Sequence, residues 1–515
     1  MTADRVTVRL ADRPLADVSP YLFSALTEHF GRGIYGGIWD QERDVARADV
    51  RAAVQAHGYT MFRYPGGCFS DWYHWRDGVG PKAERPTHPT QFWTALDLGD
   101  FPPTPLGERL GENAGAAFGP PETNAFGTDE FLQYCLDTGV EPLLVANFGT
   151  GDPEEAAAWV RYTNVERSSP RPVRHWGIGN EVYGSWELGS CSAEEYATRF
   201  REFSRAMRAV DPDIELVAVG LVGTAAEADE WNRTVVEIAG DDIDALSLHW
   251  YFPGPWIGRP LRDDEGDHLQ LAAAPDALGR MIDSVTRCVD AAAGPGRKIS
   301  IALDEWSIWA TIDDWLEANA RLADGVFFAG CYNRMIERAD RVSMAMISHL
   351  VNCMGPIQTR GDRHFVTASY LIGSLYRHAF RREAVPVELE CDTFAVPDFA
   401  DTPTADPHVA VFAEGEVSSG LARVADASAT RDEHGATVFL CNRVLDRALE
   451  FEVSGLPAGS RARFRYLGGP DPFAANDVDH PDTLGFRELP VEVTSAGTCT
   501  LSIPPATAGA LIADA

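Results

Sequence analysis

Eight continuous apolar runs divide the first two-thirds of the chain, and each is followed by a loop and an amphipathic stretch. The runs are Leu22–Phe30, Met61–Gly67, Val140–Gly149, Val173–Glu181, Ile214–Gly220, Ile243–Tyr251, Lys298–Trp306 and Val342–Val351. Continuous rather than alternating apolar residues are typical of parallel strands that are buried on both faces. Eight such β/α units predict a (β/α)8 TIM barrel over residues 18–378.

Helix-start signals support this alternation of strands and helices. Ser192 begins a Ser-Ala-Glu-Glu capping box, and large apolar residues recur at helical spacing from Tyr196 to Met207. Thr128 precedes Asp129 and Glu130, so we expect Thr128 to be the N-cap of another helix. Residues 68–127 are too long for a plain βα loop and predict an active-site loop after strand two. Residues 252–270 predict a similar excursion after strand six.

Past about residue 380 the apolar runs become short and are separated by Gly, Pro and Asp turns. The runs are His408–Ala413, Ala436–Asn442, Ala448–Val453, Ala462–Tyr466 and Cys499–Ile503. This pattern predicts an antiparallel β-sandwich, or jelly roll, over residues 379–515. Arg5–Leu10 also alternates, so we expect the N-terminal segment 1–17 to join the sandwich.

The formal net charge of −33 makes nucleic acid and anionic membranes poor partners for this chain. Nine scattered cysteines without a CxxC pair indicate free thiols in a reducing compartment. The N-terminus lacks an apolar signal core and no apolar run is long enough to span a bilayer, so we expect a cytoplasmic enzyme. The dispersed histidines show no metal-ligand spacing, and there is no phosphate-binding or dinucleotide fingerprint. We therefore expect no metal and no cofactor.

Ionisable and aromatic side chains stand where the predicted barrel strands end, which is where active sites of this fold lie. They are Glu28 after strand one, Arg63 in strand two, Asn180 and Glu181 after strand four, His249 and Tyr251 in strand six, and Glu305 and Trp306 in strand seven. Carboxylates perform glycoside hydrolysis, and aromatic faces stack on sugar rings, so the set predicts a sugar site.

Glu181 and Glu305 are the candidate catalytic pair. In a retaining glycosidase one carboxyl group protonates the leaving oxygen and the other attacks the anomeric carbon, across about 5–5.5 Å. The ends of strands four and seven face each other across a barrel mouth. Tyr251 and Arg63 could keep Glu305 ionised, although the residues alone do not assign the two roles. The plainer alternative is that each Glu forms a buried salt bridge or caps a loop.

Two aromatic candidates also have a structural alternative. His249 is either a substrate or nucleophile contact or a plain core histidine. Trp306 follows a catalytic candidate, and it either walls the pocket or packs the barrel.

The ordered motifs resemble those of the α-L-arabinofuranosidases of glycoside hydrolase family 51 over about residues 20–360. The matching stretches include Glu28-His-Phe-Gly-Arg32, Phe62-Arg-Tyr-Pro-Gly-Gly67, Asn124-Ala-Phe-Gly-Thr-Asp-Glu-Phe131, Gly179-Asn-Glu181, His249-Trp-Tyr251 and Asp304-Glu-Trp306. The resemblance implies a barrel with a jelly-roll domain, and a homo-oligomer that is often a hexamer. It also implies release of terminal arabinofuranosyl groups from arabinose-containing oligosaccharides.

The resemblance further implies that Glu181 is the acid/base and Glu305 the nucleophile, with Glu28, Arg63, Asn180, His249 and Tyr251 lining the furanose subsite. Cys68 stands where many members have Asn, and a sugar-contacting Gln of some members is replaced near Val366. Both departures leave the sugar preference open. The alternatives are another retaining glycosidase of the same clan, such as a β-xylosidase, an endo-glucanase or a galactofuranosidase, and a non-catalytic carbohydrate-binding protein.

Overall fold

The structure, a computed structural model, describes residues 5–89, 121–167, 171–222, 226–253, 260–310, 319–397 and 420–515. The strands of the N-terminal two-thirds are β1 (Arg5–Leu10), β2 (Ala16–Asp17), β3 (Ser24–Leu26), β4 (Trp39–Asp40), β5 (Val45–Ala46), β6 (Met61–Tyr64), β7 (Glu141–Ala146), β8 (His175–Ile178), β9 (Glu215–Val219), β10 (Ala245–Pro253), β11 (Ser300–Trp309), β12 (Val342–Ile347), β13 (Ile357–Arg360) and β14 (Arg363–Val366). The later strands are β15 (Glu383–Val385), β16 (Val387–Glu390), β17 (Thr393–Ala395), β18 (Leu421–Arg423), β19 (Ala425–Asp432), β20 (Gly435–Asn442), β21 (Leu449–Ser454), β22 (Arg461–Gly468), β23 (Gly485–Glu492), β24 (Thr498–Ile503) and β25 (Thr507–Asp514).

The α-helices lie between the barrel strands and after the last of them. They are α1 (Ala48–His57), α2 (Thr128–Thr138), α3 (Pro153–Arg161), α4 (Ala193–Arg208), α5 (Ala226–Ala239), α6 (Glu265–Ala293), α7 (Gly325–Ile336) and α8 (Ala368–Ala379). Short 3-10 turns occur at Pro20–Leu22, Cys68–Asp71, Trp75–Gly78, Lys82–Glu84 and Gly240–Asp242, and a π turn at Tyr162–Glu166. Among the helices that the structure describes, none is long and apolar enough to cross a membrane.

Strands β3, β6, β7, β8, β9, β10, β11 and β12 close into a barrel in chain order, and all pairs are parallel. Six of the eight predicted apolar runs contain one of these strands, and the other two overlap β10 and β11, which extend two and three residues past the predicted ends, so the predicted TIM barrel is confirmed. Helices cover the outer face, which explains why the strand sequences are apolar on both faces.

The two helix-start predictions had different outcomes. The hydroxyl of Ser192 accepts a hydrogen bond from the backbone N–H of Glu195 at 3.2 Å, so Ser192 is the N-cap of α4 as predicted. The prediction for Thr128 was wrong, because the N-cap of α2 is Gly127 and Thr128 is the first helical residue. The Thr128 hydroxyl instead accepts a hydrogen bond from the buried indole N–H of Trp159 at 3.1 Å, a contact that sequence spacing does not reveal.

The C-terminal strands form two packed sheets, in the orders β16-β1-β21-β24 and β2-β15-β19-β20-β25-β22-β23. Apolar residues from both sheets share one buried cluster, which confirms the predicted β-sandwich. Strand β1 pairs antiparallel with β16 and parallel with β21, so the N-terminal segment lies inside the sandwich. The predicted strand His408–Ala413 lies outside the described residues, as do the central parts of the two predicted excursions, at 90–120 and 254–259.

A buried ion-pair network joins the sandwich to the barrel helices. Arg443 is 1% exposed and donates from Nη1 and Nη2 to the two carboxylate oxygens of Asp276 of α6, at 2.9 and 3.0 Å. Its Nη2 also lies 3.2 Å from Asp426 of β19, and Asp426 is paired with Arg334 of α7. Burial opposes ionisation of Asp276, but Arg443 and Arg334 outweigh it and lower its pKa to about 2. Ion pairs as well as packing therefore hold the sandwich against the barrel helices.

Candidate active site

The barrel mouth carries a cluster of buried polar side chains at the carboxyl ends of its strands. Strand β10 alternates, so Ser247, His249 and Tyr251 face the interior, while Trp250 faces outward and stacks on Phe327 of α7. The pairing of β11 with its neighbours is irregular, with register shifts at Ser247/His249 and at Leu303/Trp306. Such bulges re-aim side chains next to active sites.

The irregular strand β11 places two consecutive acids in the site. Asp304 Oδ2 lies 3.3 Å from Arg63 Nε, and the Ser247 hydroxyl donates to Asp304 Oδ1 at 2.5 Å. Burial disfavours the ionised form of Asp304. The neighbouring groups, of which Arg63 has the largest effect, favour it more strongly, so the pKa of the Asp304 carboxyl is lowered. Glu305 follows directly and faces the same cavity, which a regular strand would not allow.

Two donors hold the Glu305 carboxylate. Arg63 Nη1 donates to Oε1 at 2.6 Å, and the Tyr251 hydroxyl donates to Oε2 at 2.7 Å. Arg63 is 2% exposed, so its charge is little screened by water. Burial, and then the charge of Glu305, raise the pKa of Tyr251 well above its ordinary value, so Tyr251 stays a donor.

Glu181 lies directly after β8 with a φ of 41°, in the left-handed region that a non-glycine residue rarely adopts. Such strained positions concentrate at functional sites. Glu181 Oε1 lies 2.7 Å from His249 Nδ1, and the Trp186 indole N–H donates to Oε2 at 3.1 Å. Burial disfavours a charged His249, but the neighbouring carboxylates, Glu305 foremost, outweigh it and raise the pKa of His249 to about 10.

The two candidate catalytic carboxylates are close together. One carboxylate oxygen of Glu181, one of Glu305 and a ring nitrogen of His249 all lie within 4.8 Å of one another. His249 Nδ1 lies 3.6 Å from Glu305 Oε2 as well as 2.7 Å from Glu181 Oε1, so one ring nitrogen faces both acids. The arrangement places two carboxyl groups next to one proton donor, His249, which both can share.

Glu28 organises the turn after β6. Its Oε1 accepts hydrogen bonds from the backbone N–H groups of Gly67 and Phe69, at 2.8 and 3.1 Å, and its Oε2 lies 2.8 Å from His349 Nε2. The Pro-Gly-Gly motif has a steric reason, since a Cβ at Gly66 would lie 2.4 Å from the Glu28 side chain. A Cβ at Gly67 would lie 2.5 Å from Glu305 Oε1.

Asn180 connects the site to a second group of buried acids. Its Oδ1 accepts from Arg63 Nη2 at 2.8 Å, and its Nδ2 donates to Glu187 Oε1 at 3.1 Å and to Cys68 Sγ at 3.7 Å. The backbone N–H of Asn180 donates to Asp71 Oδ2 at 3.0 Å. Burial, and then the charges of Asp71 and Glu181, raise the pKa of Glu187 well above its ordinary value.

The structure brings together Glu28, Arg63, Cys68, Asn180, Glu181, His249, Tyr251 and Glu305, but not Trp306. The indole of Trp306 is fully buried on the outer face of the barrel, where it packs on Phe328 and Tyr332 of α7. The expectation that Trp306 walls the pocket was therefore wrong, because strand alternation after Glu305 turns the next side chain outward.

Several residues of the site were not among those predicted from the sequence. Asp304 belongs to the Asp304-Glu-Trp306 motif, and its position before Glu305 at a strand end could have indicated a role in the site. His349 lies beyond β12 and Asp71 lies in the loop after β6, and neither has a spacing that indicates a role. Glu187 and Trp186 follow Glu181 in a loop, and only the fold turns them back toward it.

Among the residues that the structure describes, two groups of three side chains could each hold a metal ion. One is Glu181, His249 and Glu305, and the other is Cys68, Glu181 and Glu187, with one ligand atom from each residue within 4.8 Å of the others. The first group is also the candidate catalytic cluster.

Comparison with known proteins shows the family of the chain. Residues 53–158 and 145–256 match the α-L-arabinofuranosidase 1 domain family, and residues 304–507 match the family of α-L-arabinofuranosidase C-terminal domains. The chain is 31% identical over 530 residues to an intracellular exo-α-(1→5)-L-arabinofuranosidase of Streptomyces lividans, covering 95% of this chain and 72% of that protein.

Solved structures give the same result. The α-L-arabinofuranosidase of Thermotoga maritima, in an arabinose complex, superposes with a TM-score of 0.81 at 27% identity over 100% of both chains. The family 51 arabinofuranosidase of Xanthomonas axonopodis pv. citri gives 0.83 at 25% identity, again over 100% of both chains.

Proposed function

Because the chain belongs to the α-L-arabinofuranosidases of glycoside hydrolase family 51, we propose that it releases terminal arabinofuranosyl groups with retention of anomeric configuration. The observation that carries the proposal is the carboxylate spacing, in which oxygens of Glu181 and Glu305 lie within 4.8 Å of each other. Retaining enzymes place the two carboxyl groups about 5–5.5 Å apart, whereas inverting enzymes need about 6.5–9.5 Å to admit a water molecule.

The partners of each carboxylate support a division of roles. Glu305 accepts hydrogen bonds from Arg63 and Tyr251, and both donors stabilise the anion that attacks the anomeric carbon. Glu181 has no arginine partner among the described residues and instead contacts His249, which can pass a proton along a 2.7 Å contact. Glu181 therefore protonates the leaving oxygen, and in the second step it takes a proton from the water that hydrolyses the glycosyl-enzyme.

The remaining polar groups fit a small furanose subsite. Glu28, Arg63 and Asn180 are at most 5% exposed and surround the Pro-Gly-Gly turn, so each can hydrogen-bond a sugar hydroxyl only from the cavity side. Cys68 stands beside Asn180, where a thiol offers a weaker hydrogen bond than an amide. His249 and Tyr251 complete the subsite next to the reacting carbon. No step needs a cofactor.

The mode of attack and the setting are also proposals. The Streptomyces lividans relative is named an intracellular exo-enzyme, which supports an exo-acting cytoplasmic enzyme that takes arabinose-containing oligosaccharides. A homo-oligomer, with a hexamer as the expected form, rests on family resemblance alone. A β-xylosidase, endo-glucanase or galactofuranosidase activity would keep the same two carboxylates, and a substrate panel separates these possibilities.

The first experiment is release of p-nitrophenol from α-L-arabinofuranoside, β-D-xyloside, β-D-galactofuranoside and β-D-glucoside, with the anomeric product followed by NMR. We expect preference for the arabinofuranoside and first appearance of the retained anomer. An inverted first product would contradict the proposal.

Azide distinguishes the roles of the two carboxylates. Glu181→Ala lowers kcat by about 10²–10⁴-fold on substrates with poor leaving groups. On substrates with good leaving groups, azide attacks the glycosyl-enzyme, restores turnover and yields the glycosyl azide with the anomeric configuration of the substrate. Glu305→Ala abolishes hydrolysis, and any azide adduct formed has the inverted configuration. The exposed Glu84→Ala serves as the matched control and keeps full activity. Azide products of the opposite configurations would reverse the assignment.

A further inference from the structure

We propose that Cys68, Glu181 and Glu187 form an inhibitory binding site for a thiophilic divalent cation, of which Zn²⁺ is the representative. One ligand atom from each residue lies within 4.8 Å of the other two. The three residues come from two loops, after β6 and after β8, so the site exists only in the folded barrel.

Glu187 gives an independent reason to expect a ligand here. It is 1% exposed, and its Oε1 accepts a hydrogen bond from Asn180 Nδ2. Its Oε2 is buried and has no hydrogen-bond partner among the described residues. An unsatisfied buried carboxylate oxygen costs free energy, and a cation beside it would remove that cost.

Asn180 holds the ligands on one side. Its Nδ2 donates both to Glu187 Oε1 and to Cys68 Sγ, which keeps the thiol next to the carboxylate. Tetrahedral Zn²⁺ with bonds of about 2.0–2.3 Å needs ligand atoms about 3.5 Å apart. The three ligand atoms lie within 4.8 Å of one another, so each pair has to approach by at most about 1.3 Å when the metal binds. The fourth position remains open to water.

The donor set selects the class of cation. A sulfur ligand with two carboxylates favours Zn²⁺ over Mg²⁺ and Ca²⁺, which prefer oxygen ligands alone. Binding forms one metal–sulfur and two metal–oxygen bonds and releases to solvent the thiol proton together with any proton carried by the Glu181 and Glu187 carboxyl groups. The other group of ligands, around His249, is less suited, because Arg63 already pairs with its Glu305 carboxylate and would repel a cation.

Metal on Glu181 would occupy the oxygen that donates the proton and would block the sugar position. The inhibitory effect rests on the proposed acid/base role of Glu181, whereas binding itself does not. The site is distinct from a catalytic metal centre, because it removes rather than supplies a reacting group. A chelator would therefore raise the activity of zinc-exposed enzyme.

The test uses the full chain, freed of metal by dialysis against chelator. Zn²⁺ binding is measured by calorimetry. The ligand set is identified from the thiolate-to-metal charge-transfer absorption of the Co²⁺ form. Inhibition is measured as the loss of hydrolysis of p-nitrophenyl α-L-arabinofuranoside. Cys68→Ala and Glu187→Gln are compared with Cys288→Ser, which removes a half-buried thiol that lies on α6, away from the site. Circular dichroism checks that each variant is folded.

We expect one tight Zn²⁺ site whose dissociation constant rises at least about tenfold in Cys68→Ala and in Glu187→Gln, with loss of the charge-transfer band in Cys68→Ala. Cys288→Ser keeps the parent dissociation constant and the charge-transfer band. If Cys68→Ala does not fold, Glu187→Gln alone decides the outcome. An unchanged dissociation constant in the folded variants, or no thiolate band in the parent, overturns the site. Tight binding at Cys68 without inhibition keeps the site and contradicts the proposed role of Glu181.

Discussion

Replacing Gly67 by alanine adds one methyl group beside the carboxylate proposed as the nucleophile. The Cβ would lie 2.5 Å from Glu305 Oε1 and 3.5 Å from Asn180 Oδ1. Gly67 has a φ of −88°, so left-handed backbone strain is not the cause of the expected effect. The carboxylate must withdraw by about 0.9 Å to reach the 3.4 Å at which ordinary contact begins.

A displacement of about 1 Å at a reacting group can cost about 100-fold in rate, which corresponds to about 2.7 kcal/mol in the activation barrier. We therefore expect Gly67→Ala to lower kcat on p-nitrophenyl α-L-arabinofuranoside by about 100-fold. Overpacking would also lower the free energy of unfolding by about 1–3 kcal/mol.

Gly485→Ala is the matched control, because a Cβ at Gly485 meets no atom within 4 Å. It should keep the parent kcat and melting temperature. The reasoning fails if folded Gly67→Ala keeps kcat within about twofold of the parent enzyme, since the steric contact would then have no effect on the nucleophile.

Two further predictions concern stability. Arg443→Met removes one of the two arginines that pair with Asp276 and Asp426 and leaves Arg334 to pair with both, so the free energy of unfolding measured in urea should fall by about 3–5 kcal/mol, and a loss below about 1 kcal/mol would contradict the role of this network. The pKa of His249 is raised from 6.5 to about 10, so between these pH values the folded protein keeps a proton that the unfolded chain has lost. The difference in free energy of unfolding between the parent and His249→Gln should therefore be largest below pH 6.5. It should decrease by up to about 1.4 kcal/mol per pH unit as the pH rises to about 10. A difference that does not change with pH would show that His249 is neutral.

The barrel strands could be predicted from the sequence because burial on both faces gives each parallel strand a continuous apolar run. A run such as Val140–Gly149 needs no distant residue to be recognised, and it contains β7. The Ser192 cap was likewise local, since its partner is the N–H three residues later. Thr128 was misassigned because its hydroxyl is used by Trp159, thirty-one residues away in sequence.

Part of the candidate site could also be predicted from the sequence. A parallel barrel brings all its strand ends to one mouth, so residues at those ends had to meet once the fold was known. Glu187 and Asp71 gave no such signal, because each reaches the site through a loop rather than from a strand end. Their proximity depends on loop paths that apolar periodicity does not describe.

The sequence by itself determined the barrel, the sandwich and the strand ends that face the mouth, because hydrophobic burial and chain order decide these. The tertiary structure decided which neighbours face inward. The irregular pairing of β11 turns both Asp304 and Glu305 into the site and sends Trp306 out against α7. It also decided the contacts among charges, such as Arg63 on Glu305, since a hydrogen bond depends on a few tenths of an ångström that no pattern of residue types contains.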